Sequence, residues 1–347
     1  MIRPFHGFAL VAFGIVAACA SLPAITGDPA VTVTARAETV PVGTSNEDAA
    51  DDPAIWRNPA DPAASLIVGT DKKGGLYVYD LTGAQKSFLP APGMNNVDLV
   101  EIEHGRILVI ASDRADLATA HLFLAILDPA TAGLSPAGRI AVGQGEGYGI
   151  CIAKPAGKDE VVVFSAPKNG TIYRTTLTGT AKDADFAATT TTLAQVATQP
   201  EGCIADPRTA TLYIGEEDAG LWAIDMNTGA KRLVAPIDNK MLVADLEGLA
   251  IAPEGRDGGY LVASSQGDNA YAVYRLPSVT PVGRFRIAAG AFGGTEETDG
   301  IELDNRDFGP QFPGGIFIAQ DGVNPPQAQN FKLARWDEIL AALESAP

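Results

Sequence analysis

The sequence has little of what thiol and soft-metal chemistry requires. Its 347 residues include three Cys and three His, too few for a disulfide scaffold or a zinc-type Cys/His cluster. Positive charge is also scarce, with 25 Lys and Arg against 42 Asp and Glu and a formal net charge of −17. That balance argues against a nucleic-acid partner, since such binders present net positive surface to phosphate. It fits an exported protein, a cation binder, or both. No apolar run is long enough to span a bilayer. The run at residues 8–18, FALVAFGIVAA, follows Arg3 and has the length of a signal-peptide h-region. It ends in Val16-Ala17-Ala18-Cys19, the pattern of a bacterial lipobox whose Cys is lipidated and becomes N-terminal. The plainer alternative is an ordinary signal peptide cut nearby, with Cys19 incidental. Residues 1–19 are read as the signal segment, 20–30 as a tether and 31–347 as the functional domain. Export to the periplasm or cell envelope is expected, with an outer-membrane lipid anchor, or otherwise secretion. The membrane is a partner only through that anchor, and the protein is expected to be a monomer.

What is abundant points to a β protein. Hydrophobic residues make up 46% of the chain, with 37 Gly and 24 Pro, enough for a core and for the turns between many short strands. A turn-prone or acidic residue leading into an apolar strand recurs six times, at Asp52, Val97, Tyr148, Glu201, Glu247 and Asp299. Successive markers lie 45 to 53 residues apart. Each is followed by a second strand that ends in a polar turn, as in LIVGTDKK (66–73), ILVIASDR (107–114) and LYIGEED (212–218), and then by a third strand. Six units of about 50 residues predict an all-β, six-bladed β-propeller. A β-sandwich of similar strand count gives no reason for a charge to return at one place in every unit. Residues 31–37, VTVTARA, are predicted to be an N-terminal strand closing the last blade, because an open ring leaves exposed strand edges. Only residues 337–346 read as helix.

In a propeller the loops at one end share one rim. Blades one to three bring Lys72, Lys73, Arg114 and Lys168 to it; blades four to six bring Glu216, Glu217, Asp218, Gln266 and Asp321. The inner-strand starts add Asp51, Asp52, Tyr148, Glu201, Asp245, Glu247 and Asp299. Any one loop-end charge is ordinarily just solvated. Signs that segregate around a ring are harder to explain that way. Carboxylates converging on a channel mouth repel one another unless cations lie between them. Oxygen-only ligands select hard cations, calcium above the others. Calcium beside Lys and Arg makes a phosphate site able to hydrolyse an ester.

These residues also resemble a known family. DDPAIW (51–56), TDKKGGLYVY (70–79), NNVD (95–98), EGYG (146–149), PEG (200–202), EED (216–218), DLEGL (245–249), ASSQG (263–267), TDGI (298–301), GIFIAQDG (315–322) and QNFK (329–332) are similar, in order, to the β-propeller phytases. These are calcium-dependent alkaline phosphatases of the 3-phytase type acting on myo-inositol hexakisphosphate. The resemblance covers about residues 31–340. It implies that Glu38, Asp52 and the carbonyls of Pro53 and Val97 are structural calcium ligands. It implies a catalytic calcium cluster of Asp51, Glu201, Glu217, Asp245, Glu247, Gln266 and Asp299, with Tyr148 beside the attacking water. Lys72, Arg114 and Lys168 would hold the cleaved phosphate, with Lys73 as a further contact. Two departures stand out: Asp71 where the family has Asn before the paired lysines, and Asn169 where it has Glu after Lys168. Asp321 and Asn330 are further candidate ligands. The alternatives are a metal-dependent propeller lactonase, which does not explain Lys72, Arg114 and Lys168 on one side, and a non-catalytic binding propeller, which does not need the acidic cluster.

Cys151 and Cys203 follow the matching inner-strand starts of blades three and four. Their one-residue offset puts them on opposite faces of their sheets. They either share the interface between those blades or point outward to blades two and five. A bond requires Cα atoms within about 7 Å.

Overall fold

Short apolar stretches become strands here because β-branched and aromatic side chains fill a buried, pleated surface, and Gly, Pro and Asp punctuate the joins. A computed structural model describes residues 25–45, 47–102, 105–154, 160–179 and 186–346. The lipobox, including Cys19, lies outside the described residues. The strands form six sheets. Blade one is β3 (Ala50–Trp56), β4 (Leu66–Asp71), β5 (Gly75–Asp80) and β6 (Gln85–Pro90), and blade two is β7 (Met94–Glu101), β8 (Ile107–Asp113), β9 (Thr119–Asp128) and β10 (Gly133–Gln144). Blade three is β11 (Gly149–Ala153) to β14 (Ala187–Gln195), and blade four is β15 (Pro200–Asp206), β16 (Thr211–Glu216), β17 (Gly220–Asp225) and β18 (Lys231–Pro236). Blade five is β19 (Leu246–Glu254), β20 (Gly258–Ser265), β21 (Ala270–Leu276) and β22 (Thr280–Ala288). Blade six is β23 (Ile301–Asp304), β24 (Ile316–Asp321) and β25 (Asn330–Arg335).

The first strand of each blade packs against the first strand of the next, and β23 returns to β3, so the ring is closed. The second strands are apolar on both faces because each sheet is covered by a blade on either side. Ala54, Val68 and Val78 of blade one meet Val97, Val109 and Leu127 of blade two in one such layer.

The N-terminal segment makes two closures. An N-terminal segment does close the last blade, but through β2 (Ala37–Glu38), which pairs antiparallel with β25, and not through the whole of the 31–37 strand expected from sequence. The preceding β1 (Val31–Thr34) runs parallel to β22 as a fifth strand of blade five. The chain therefore spans the seam between blades five and six. Helix α1 (Trp336–Glu344) covers that seam, burying Trp336, Ile339 and Leu343 against Val33, Phe285, Ile287 and Phe317. Cys151 and Cys203 form a disulfide, with Cα atoms 5.4 Å apart. Of the two orientations left open by sequence, the chain adopts the shared interface, which ties β11 to β15.

The innermost strands approach too closely for ordinary side chains. A Cβ on Gly149 would lie 2.0 Å from the Glu201 carbonyl oxygen, one on Gly202 2.3 Å from that of Glu247, and one on Gly248 2.7 Å from that of Asp299. Gly300 meets Asp51 and Asp52 in the same way. Gly248 N donates to Asp299 O at 2.8 Å, and Gly300 N to Asp51 O at 3.1 Å. Gly149→Ala should therefore force β11 and β15 apart and cost about 1–3 kcal/mol. Chemical denaturation of the variant beside wild type measures this, and equal midpoints would contradict the contact.

Candidate active site

The residues that open the inner strands are aimed by a repeated irregularity. In blades one, two, four and five the first two strands lose register, between Ala50 and Pro53, Met94 and Val97, Pro200 and Cys203, and Leu246 and Leu249. Each interval has one residue more than its partner strand, which is a β-bulge. Bulges bend a strand and re-aim its side chains. Asp51, Asn95, Glu201 and Glu247 occupy the same bulge position, and all four are buried. In blades one and two these structural equivalents lie just before the sequence markers Asp52 and Val97.

One carboxylate oxygen each of Glu201, Glu217 and Glu247 lies within 4.8 Å of the other two. Glu217 comes from the β16–β17 turn and accepts Gln199 Nε2 at 2.6 Å. Asp299 accepts Gln266 Nε2 at 2.6 Å and Lys72 Nζ at 3.0 Å. Lys72 Nζ also lies 3.1 Å from Asp51 Oδ2 and 2.9 Å from Asp48 Oδ2. The Tyr148 hydroxyl lies near Glu201, whose charge raises its pKa after burial. Lys168 Nζ sits 4.4 Å from the centre of the Tyr148 ring and the Arg114 guanidinium 5.8 Å from it. Both cations face Glu146, Arg114 through Nη2 and Lys168 at 3.7 Å.

The electrostatics are those of a cluster short of positive charge. Burial pushes Asp51 up to about 6, with Lys72 opposing and Glu201 adding to the shift. Burial pushes Glu217 up to about 7, against the bond from Gln199 and helped by the Glu201 charge. Glu247 and Asp299 are driven well above the usual carboxylate range by burial, then by their acidic neighbours, against the pull of Lys72 on Asp299. Asp245 is raised by burial and by Asp218 and Glu201. Burial opposes the Lys72 ammonium, yet Asp51, Asp299 and Asp48 hold its pKa above that of an ordinary lysine. Buried Asp51 Oδ1 and Glu247 Oε2 accept no hydrogen bond. Orphaned carboxylate oxygens in an all-oxygen donor set fit a hard divalent cation.

The comparisons agree with this chemistry. The phytase family model matches residues 8–347. A 3-phytase of Bacillus subtilis (strain 168) is 34% identical over 333 residues, covering 91% of this chain and 86% of that protein. The chain belongs to the phytase family. A crystal structure of the soluble aldose sugar dehydrogenase of Escherichia coli, in its apo form, superposes with a TM-score of 0.50 at 13% identity. It covers 86% of this chain and 98% of its own, a likeness of fold alone.

Among the residues that the phytase resemblance singles out, Asp51, Glu201, Glu217, Asp245, Glu247, Gln266, Asp299, Tyr148, Lys72, Arg114 and Lys168 are gathered at one channel mouth. Lys73 is exposed and joins no ion pair among the described residues. Within the 216–218 acidic run only Glu217 reaches the three-carboxylate cluster. Glu216 is consumed by Thr198, Ala197 N and Trp222 Nε1, and Asp218 is exposed. Asp52, Pro53 and Val97 line a small cavity in the channel with Asp98 and Glu302, where Asp52 Oδ2 accepts Val97 N at 3.0 Å. Glu38 is not with them. It lies on the outer edge of blade six, 2.6 Å from the buried Lys332 Nζ, which also meets Asp321 at 3.1 Å. The ammonium there stands between carboxylates, and Asn330 donates to the Thr39 carbonyl beside it. Asp71 caps its own turn through Lys73 N and Gly74 N. Asn169 shapes its turn through Thr171 N and Gln144 O. Asp48, Asn95 and Glu146 were not singled out from sequence; Asn95 and Glu146 lie inside the NNVD and EGYG blocks, whereas Asp48 carries no motif.

A carboxyl whose folded pKa is raised binds more protons folded than unfolded, so its contribution to stability falls as pH rises. For Glu217 the window runs from the ordinary 4.5 to about 7. Glu217→Gln in chelator should raise Tm by a few degrees at pH 8 and leave it unchanged near pH 4.5. Thermal scans at both values check this, and a pH-independent difference would contradict the assigned strain.

Proposed function

We propose that this protein is a calcium-dependent phosphomonoesterase that hydrolyses myo-inositol hexakisphosphate to lower inositol phosphates and inorganic phosphate. One observation carries the reading: a buried carboxylate cluster with orphaned oxygens is contacted by Lys72 and linked to Arg114 through Asn95, with Lys168 beside Arg114 on Tyr148 and Glu146. Membership of the phytase family and the 3-phytase relative support it.

Asp51, Glu201, Glu217, Asp245, Glu247 and Asp299 would hold the calcium ions, with Gln266 at the edge. Calcium bound there supplies Lewis-acid polarisation of a phosphoryl oxygen and activates water for in-line attack. The chain's own groups do the rest. An uncompensated acidic mouth repels a polyphosphate, so Arg114 and Lys168 give the substrate its direct attraction. Arg114 presents a planar fork suited to two phosphate oxygens, and Lys168 a point charge beside it. The Tyr148 ring lies against both cations. Its hydroxyl has a pKa above the ordinary tyrosine value through burial and then the Glu201 charge, so it stays protonated beside that carboxylate. Lys72 neutralises part of the Asp51–Asp299 charge. Among the described residues no histidine or cysteine is placed as a nucleophile. His121 Nδ1 is tied to Thr119 O, and Cys151 and Cys203 are bonded to each other.

Phosphate release from phytate should require calcium and stop on chelation. Glu201→Gln should lower kcat by at least about 100-fold, since it removes charge from the metal cluster. Full activity after exhaustive EGTA dialysis, or wild-type turnover in Glu201→Gln, would overturn the reading.

The exported, lipid-anchored form rests on residues 16–19, Val-Ala-Ala-Cys. Mass spectrometry of the mature N-terminus should find a diacylglyceryl group on Cys19, lost in Cys19→Ala. A mature chain starting beyond residue 19 would refute the anchor.

A further inference from the structure

Four blades share one bulge position, and three of them fill it with a carboxylate. Blade two fills it with Asn95. Asn95 is completely buried. Its Oδ1 accepts Arg114 Nη1 at 2.7 Å, and its Nδ2 donates to Glu201 Oε1 at 2.9 Å. Its neighbours dictate that orientation, because a guanidinium offers only donors and an ionised carboxylate only acceptors. The other end of Arg114 is engaged by Glu146.

We infer that Asn95 is a positioning residue that couples the phosphate-binding cation Arg114 to the metal-binding carboxylate Glu201 while keeping the two from pairing. This rests on the phosphatase reading above. In a buried mouth a guanidinium and a carboxylate attract strongly. A direct Arg114–Glu201 ion pair would take positive charge from the phosphate and negative charge from the metal. A neutral amide satisfies both groups and transfers no charge between them. An aspartate there would add a further carboxylate beside Glu201 and pair with Arg114. An apolar residue would take the amide away from Arg114 Nη1 and the buried Glu201 Oε1 and leave the two free to pair with each other. Asn95 also fixes the guanidinium from one side as Glu146 fixes it from the other, so the fork is oriented before substrate arrives.

The test is a double-mutant cycle of Asn95→Leu and Arg114→Ala, read by phosphate release from phytate and by calorimetric titration with calcium alone. In the wild-type background Asn95→Leu should lower kcat/KM at least about tenfold, raise KM and weaken calcium binding several-fold. In the Arg114→Ala background no guanidinium remains to collapse onto Glu201. The calcium loss caused by Asn95→Leu should then shrink below about twofold. Equal losses in both backgrounds would reduce Asn95 to a packing residue and overturn the inference. If Asn95→Leu does not fold, Asn95→Ala is carried through the same cycle with the same criteria. If the wild-type protein releases no phosphate, the phosphatase reading fails, and the calcium arm alone still decides whether Asn95 separates the two charges.

Discussion

The contact on which the rest of this molecule depends is the approach of the innermost strands around the axis. At four of the six junctions a glycine lies against a backbone carbonyl of the next blade: Gly149 on Glu201, Gly202 on Glu247, Gly248 on Asp299 and Gly300 on Asp51. At the other two an aspartate replaces the glycine contact. Asp52 accepts Val97 N, and Asp98 accepts Ile152 N at 2.7 Å. At five of the six junctions the residue that brings the strand in is thus adjacent to, or is itself, an acid; the exception is Gly149, which follows Tyr148. Closing the ring and crowding the carboxylates are one event, because the groups sit on the same few residues of backbone.

That geometry has an electrostatic consequence. Burial removes water from several carboxylates at once and raises Asp51, Glu217, Glu247 and Asp299 together. The molecule offsets part of this with Lys72, whose ammonium touches three acids from two segments, Asp48 and Asp51 before and in the first blade and Asp299 before the last. The remaining orphaned oxygens are what a divalent cation satisfies. Lys332 does a comparable thing at the outer seam, where a buried ammonium lies between Glu38 and Asp321. There the cation is supplied by the chain, and the two-residue strand β2 is fastened to the last blade by it.

Much of the site was legible because its residues recur. Glu201, Glu247 and Asp299 head equivalent strands, and Lys72, Arg114 and Lys168 end equivalent ones, so a repeat reading places them on one rim before any coordinates. Asn95 and Glu146 were harder. Neither has an unusual residue type, and each acts only through partners on other blades: Asn95 through Glu201 from blade four, Glu146 through Arg114 from blade two and Lys168 from blade three. Asp48 precedes the first blade in an exposed loop and owes its role to Lys72 alone. Glu216 and Glu217 are neighbours in sequence with opposite fates. Glu216 ends its strand and faces Trp222, whereas Glu217 begins the following turn and faces the cluster.

By itself the sequence determined the six-unit repeat, the strand order, the terminal helix and the sign of charge at each loop end, because these follow from short-range periodicity and turn chemistry. Only the tertiary structure decided that Val31–Thr34 joins blade five while Ala37–Glu38 closes blade six. It alone decided that Cys151 faces Cys203 and that four bulges rotate Asp51, Asn95, Glu201 and Glu247 into one mouth. The physical reason is common to all three. Register, facing and closure are set by contacts between segments far apart in the chain, and a one-residue slip, invisible in local pattern, sends a side chain to the opposite face.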